Sequence, residues 1–239
     1  MTTILGLQTT VGKDAVVLAT DRQMSMFIPD AYGNKQAVEE MDFKKIYIGK
    51  NFAFTMAGAA IQSLMEFWKN LQVKDPKDPK FVDLEHILVD GGVFDEVRQM
   101  NLEAAAGNVE EVRASAQVRF IFATNYNKTP KIHYVFQLGG VEEFDAFSVE
   151  GTGKEFIMDD LQDAYKGDTL DGPRVTLPQA IKLADRCISN SRSDPYSGGT
   201  MPDIAVITGD SISYYGDELL SRYKKFRKSE IQRIIDAHK

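Results

Sequence analysis

The sequence is poor in the residues and patterns on which many functions depend. It has a single cysteine, Cys187, among 239 residues. No disulfide can form within the chain, and a reducing compartment fits that usage. Cys187 lies in AIKLADRCISN, in helical register with Ile181, Ala184 and Ile188, and reads as a small buried hydrophobe rather than a nucleophile. The three histidines, His86, His133 and His238, are far apart, and His133, between Ile132 and Tyr134, reads as a structural residue of a strand. There is no Walker loop, no GxGxxG after a strand, no CxxC, no HExxH and no GxSxG elbow. The acidic residues do not fall at calcium-loop spacing. Neither a metal nor an organic cofactor is expected. No apolar run reaches about 18 residues, the length that would span a bilayer. Nor does Met1 lead into the basic and apolar regions of a secretory signal. A cytoplasmic protein without a membrane partner is the expectation.

The composition is that of a globular chain, 43% hydrophobic and 26% charged. It is long enough to bury a core without metals or disulfides, and one domain over 1–239 is expected. The formal net charge of −7 argues against nucleic acid or an anionic membrane as the partner.

Periodicity then organises the chain. TTILGLQTT and DAVVLATDR are β-rich runs turned by VGK, which predicts a hairpin. Residues 23–41 carry Pro29, Asp30, Gly33 and Asn34 and read as a long loop. KKIYIG and FAFTM form a second hairpin around GKN. Ala60, Leu64, Phe67, Trp68 and Leu71 then recur at helical spacing. KDPKDPK breaks that helix. From Phe81 to about Ala114 the pattern is helical, interrupted at 90–92 and 106–108. VRFIFATN and KIHYVFQLGG are strands around YNKTP, and VEEFDAFSVEG reads as a third strand. KEFIMDDLQDAYK is a helix with Phe156, Leu161 and Ala164 on one side. TLPQAIKLADRCISNS is another, with Thr176 as N-cap and Pro178 in the first turn. IAVITGDSISYYG is a hairpin turned at Gly209-Asp210, and KSEIQRIIDAHK a short terminal helix capped by Ser229. Segregated runs of strands and helices predict an α+β fold with antiparallel sheets and outer helical layers.

With the other motifs absent, the chemistry left is at the start of the chain. A threonine with a free α-amine contains its own nucleophile and base, because an α-amino group of pKa about 7.7–8.0 can take the hydroxyl proton. Removal of Met1, expected before a small residue, would expose Thr2. TTILG, VVLATDRQ, KKIYIG…FAFTMAGAA, GTG at 151–153 and SDPYSGG at 193–199 resemble, in order, the β-subunits of the proteasome. The bacterial double-ring relative of that family is also similar and shares a glutamine placed like Gln23. The resemblance covers both ends of the chain. It implies the Ntn-hydrolase fold, a four-layer αββα sandwich of two antiparallel sheets between helical layers.

The resemblance also assigns roles. Thr2 is the nucleophile, Asp21 and Lys45 sit beside it, and Gly58 supplies an oxyanion N–H. Thr152 stands where the family usually has serine, and Asp194 and Ser197 complete the hydrogen-bond network around the amine. Lys44 adjoins Lys45, and a one-residue slip would point it to the other face; Lys45 is favoured because isoleucine follows it directly. Ser25, Met56 and Ala60 fall along the substrate cleft, Met56 at the base of the pocket for the residue before the cut. The implied activity is threonine endopeptidase action on unfolded polypeptides inside a homo-oligomeric ring, fed by a separate ATPase or gating ring. The alternatives are a non-catalytic ring subunit, and another Ntn hydrolase acting on a small amide or as a transpeptidase. The chain departs from the family in a longer loop at 23–42, a longer segment at 74–116, and the lack of an autocleaved propeptide beyond Met1.

Overall fold

The computed structural model describes residues 2–29, 35–42, 44–49, 51–58, 98–99, 102–103, 105–108, 118–135, 141–166, 174–194, 202–216 and 220–239. In chain order the elements are β1 (Thr3–Gln8), β2 (Ala15–Thr20), β3 (Gln23–Pro29), β4 (Lys35–Asp42), β5 (Ile46–Ile48), β6 (Phe52–Gly58), β7 (Val118–Thr124), β8 (Lys131–Val135), β9 (Val141–Phe144), β10 (Phe147–Gly151), α1 (Met158–Tyr165), α2 (Leu177–Asn190), β11 (Asp203–Thr208), β12 (Ile212–Tyr215) and α3 (Leu220–Ala237). One antiparallel sheet has the order β10-β1-β2-β11-β12 and the other β5-β6-β7-β8-β9. With the three helices among the described residues, this is an α+β sandwich.

The central strands of the first sheet, β1, β2 and β11, are buried on both faces and largely apolar on both. Along β1, Ile4 packs between the sheets with Val16, Leu18, Ile121 and Ile132. Leu5 and Leu7 pack with Val17, Ala180, Ile181, Ala184 and Ile188 on the helical side. Gly6 faces the second sheet, where a Cβ would come within 3.1 Å of Ile121; the absent side chain lets the two sheets approach. Helix α2 begins as the sequence predicts. Thr176 and Gln179 form a reciprocal capping box with Pro178 in the first turn, and the apolar stripe ends at the buried Cys187 and Ile188. Burial pushes the Cys187 thiol up to about 12, with the nearby Asp160 charge adding to it, so this thiol stays protonated and inert, as expected for a core residue. His133 is structural, its ring bonded to the Thr124 hydroxyl at 3.2 Å.

Four expectations change. Residues 23–42 are not simply a loop: β3 and β4 pair into a separate two-stranded ribbon with an irregularity between Met26 and Phe27. Proline, glycine and asparagine punctuate only its end, while the flanks are strand-like. VEEFDAFSVEG is two strands rather than one. The Asp145-Ala146 bend lets β9 pair with β8 in one sheet while β10 pairs with β1 in the other. Phe156 is 48% exposed and lies in a single 3-10 turn before α1, so it does not share the buried side of Leu161. The terminal helix runs for 18 residues from Leu220, which places Ser229 in its interior, because LSRYKKFRK upstream is unbroken helix-forming sequence. The helices expected near residues 60–71 fall outside the described residues, as does most of 81–114. Of that second stretch, the break at 106–108 is present as a turn with Ala106 and Gly107 at positive φ.

Candidate active site

The site lies where β1, the end of β2 and the start of β5 converge. Thr2 precedes β1 and is 4% exposed. Its main chain is fixed on one side by β10: the Thr152 amide donates to the Thr2 carbonyl at 3.1 Å, in continuation of the Thr3–Gly151 register. On the other side the Thr3 amide donates to Asp21 Oδ2 at 2.5 Å, while the Asp21 amide donates to the Thr3 carbonyl at 3.3 Å. Gly151 makes the close approach possible. It adopts φ +105°, and a Cβ there would lie 1.7 Å from the Thr2 carbonyl oxygen. Only glycine satisfies both conditions.

Three side chains meet inside this frame. Lys45 Nζ donates to Thr2 Oγ and to Asp21 Oδ1 at 2.6 Å, and the Thr2 hydroxyl lies 3.5 Å from Asp21 Oδ1. Asp21 is wholly buried and Lys45 nearly so. Burial pushes the Lys45 ammonium below the usual lysine range, and the Asp21 charge and hydrogen bond oppose that shift, with a further contribution from Asp203. A buried ammonium paired to a carboxylate and touching a threonine hydroxyl suits stabilising an alkoxide.

Lys44 takes the opposite course. Its ammonium stands 4.2 Å above the Tyr214 ring. The two lysines therefore diverge as neighbours in an extended segment must, and it is Lys45 that enters the cluster.

With this geometry in view, the comparisons are informative. No family model matches. The curated protein named proteasome subunit beta from Methanocaldococcus vulcanius is 26% identical over 243 residues, covering 94% of this chain and 92% of that protein. One of the same name from Thermoplasma acidophilum is 24% identical over 226 residues, covering 91% and 93%.

The chain is related to the proteasome β-subunits.

That relation is to a protease family, and it accounts for the order of motifs along the chain. The other residues expected from the resemblance fall into four groups. Thr152 and Asp194 belong to turns that pack together, at 152–156 and 191–193. The Thr152 hydroxyl is buried without a hydrogen-bond partner among the described residues, and Asp194 is 5% exposed with its amide on the Ser191 carbonyl at 3.0 Å. Gly58 and Met56 lie on β6, which packs against β1. Gly58 is exposed with φ +130° and pairs with Val118. Met56 is buried, and strand alternation sets it on the face shared by Phe54 rather than the inter-sheet face of Ala53 and Ala57. Ser25 stands on β3, where the backbone pairs it with Glu40. Ser197 and Ala60 lie outside the described residues.

A second buried cluster adjoins the first, and sequence reasoning missed it. Asp203, 0% exposed, accepts from Arg22 Nη1 at 2.8 Å, from the Tyr214 hydroxyl at 2.8 Å and from the Lys45 amide at 3.2 Å. Burial pushes its carboxyl upward, opposed by Arg22 and these hydrogen bonds. The same negative charge, after burial, helps raise the Tyr47 hydroxyl to about 12. The available signal was an acid opening the apolar run DIAVIT, since a carboxylate in such a strand needs a buried partner.

Proposed function

We propose that the chain is a proteasome-like threonine endopeptidase whose nucleophile is Thr2, freed at its α-amine by removal of Met1. The observation that carries this reading is the buried contact of Lys45 Nζ with both Thr2 Oγ and Asp21. The Thr2 hydroxyl attacks the peptide carbonyl and its proton passes to the Thr2 amine, whose ordinary pKa of about 7.7–8.0 lies near neutrality and which the adjacent ammonium biases toward the neutral, proton-accepting form. Lys45 stabilises the alkoxide as it forms, and Asp21 holds Lys45 in place. The Gly58 N–H, at the end of β6, receives the oxyanion; such a donor contributes about 3 kcal/mol to lowering the barrier. The amine then protonates the leaving group, and water hydrolyses the ester on Thr2. The buried, unpartnered Thr152 hydroxyl is an acceptor for the amine. Asp194, in the turn packed against it, completes that network with Ser197.

The substrates on this reading are unfolded polypeptides, with Ser25, Met56 and Ala60 along the cleft and Met56 favouring an apolar side chain before the cut. The subunits form a homo-oligomeric ring in the cytoplasm, served by a separate ATPase or gating ring. No described helix is long and apolar enough to cross a membrane. Turnover of a fluorogenic peptide by wild type and by Thr2→Ala tests the reading, with intact mass establishing that Met1 is gone. Loss of essentially all turnover in Thr2→Ala is expected. Equal rates would remove Thr2 from the mechanism.

A further inference from the structure

Asp203 has no part in the proposed chemistry, yet it touches both segments that deliver the charged side chains. Between Asp21 and Lys45 the chain makes a long excursion through the β3–β4 ribbon, which among the described residues pairs only with itself. A two-stranded ribbon is marginally stable alone and cannot fix where Lys45 returns. Nor can β5, which is three residues long, since so short a strand specifies its register weakly. A slip of one residue would exchange Lys45 for Lys44 at the nucleophile.

Asp203 holds both ends of that excursion. It opens β11 opposite Thr20, the last residue of β2, so its position is set by the sheet. One carboxylate oxygen takes the Arg22 guanidinium at the outgoing end, and the other takes the Lys45 amide at the returning end. The Tyr214 hydroxyl donates to the first oxygen, and the Tyr214 ring carries Lys44. The two lysines are thus sorted around one carboxylate, Lys44 outward and Lys45 inward. The packing is tight: a Cβ on Gly216 would stand 1.8 Å from the Tyr214 hydroxyl and 2.6 Å from Asp203 Oδ1.

We propose that Asp203 is the positioning residue for Lys45, clamping Arg22 and the Lys45 amide so that the register of β5 presents Lys45, and not Lys44, to Thr2. The kinetic consequence rests on the peptidase reading, whereas the clamp itself does not. Asp203→Ala alone would take a buried carboxylate from the Arg22 guanidinium, so the comparison is made in an Arg22→Met background. There Asp203→Asn keeps an acceptor for the Lys45 amide, and Asp203→Leu removes it at similar volume and with charge balanced. Hydrogen exchange at the Lys45 amide is measured in the full-length protein, together with kcat and KM on a fluorogenic peptide. In the Leu variant, amide exchange should quicken by roughly tenfold or more, as for loss of one hydrogen bond worth about 1.4 kcal/mol. Its kcat should fall roughly 10- to 100-fold with KM little changed, because a misplaced catalytic group costs that much, and the Asn variant should recover most of both losses. Equal Lys45 exchange in the two variants would overturn the clamp. Unequal exchange with indistinguishable kcat would confine Asp203 to a structural role and overturn its positioning function. If the wild type cleaves no peptide, the peptidase reading fails by itself, and exchange at Lys45 still decides the clamp.

Discussion

Replacing Gly151 by alanine should separate two costs that glycine avoids at this site. The first is conformational: φ +105° is disfavoured for a residue with a Cβ by about 1–2 kcal/mol. The second is steric. The new Cβ would lie 1.7 Å from the Thr2 oxygen, 2.7 Å from the Thr2 carbonyl carbon and 3.1 Å from the Thr3 Cα. All three are backbone atoms, so no rotamer change relieves the clash, and the chain must part by roughly 1 Å or more to reach ordinary contact. That displacement removes the Thr152-to-Thr2 hydrogen bond, worth about 1 kcal/mol, and carries Thr2 Oγ away from Lys45. The expected destabilisation is therefore about 2–4 kcal/mol, with turnover reduced on the order of 100-fold, as for a 1 Å misplacement. Gly12→Ala is the control. It lies in the β1–β2 turn at φ +82° with nothing within 4 Å of the added carbon, so it should lose only the conformational share and keep its activity. Urea unfolding of both variants beside peptide turnover makes the comparison. Equal destabilisation of the two, with Gly151→Ala fully active, would refute the argument that Gly151 seats the nucleophile.

Two further outcomes follow from the buried ion pair. Lys45→Met takes the Lys45 ammonium from the buried Asp21, which should cost about 3–5 kcal/mol in urea unfolding; Asp21→Asn/Lys45→Met should restore most of that stability and none of the turnover, and a double variant no more stable than the single one would contradict the pairing. Because burial lowers the Lys45 pKa, the ammonium is lost as pH rises through that lowered value, so the alkaline limb of kcat should lie below the ordinary lysine value of 10.5. The linked stability has the opposite sign: between the lowered folded pKa and the unfolded one the unfolded chain binds the extra proton, so this residue's contribution rises with pH. An alkaline limb at or above 10.5 would contradict a required Lys45 ammonium with a lowered pKa.

What could be read in the sequence was what local chemistry decides. The β1–β2 hairpin, the Thr176 N-cap of α2 and the core placement of Cys187 follow from turn residues, caps and period, and they recur in the structure as expected. The meeting of Thr2, Asp21 and Lys45 was implied only by the resemblance to the proteasome β-subunits, which carries long-range information that periodicity lacks. The misreadings have the same origin. Pro29 and Gly33 suggested a loop, although paired backbones on either side outweigh a few turn residues. The Asp145-Ala146 bend was hidden because a strand that changes sheets keeps its β composition. Ser229 resembled a cap because a serine followed by glutamate carries that meaning only where the preceding residues are not already helical. The Asp203 cluster was not apparent because its partners, Arg22 and Tyr214, are adjacent to it only after β11 lies between β2 and β12.

That sheet order also fixes when the site can exist during synthesis. The segment bearing Thr2 is made before its partners, yet β1 acquires its outer neighbour only when β10 emerges, and β2 only when β11 follows. Until then the hydroxyl has neither the Thr152 amide behind it nor an anchored lysine before it. Such distant pairings are slow to close, and on the peptidase reading the delay would keep Thr2 idle until the sheet is complete. On that reading, a growing chain would carry its threonine without the groups that arm it until the strands around residues 151 and 203 have joined the sheet.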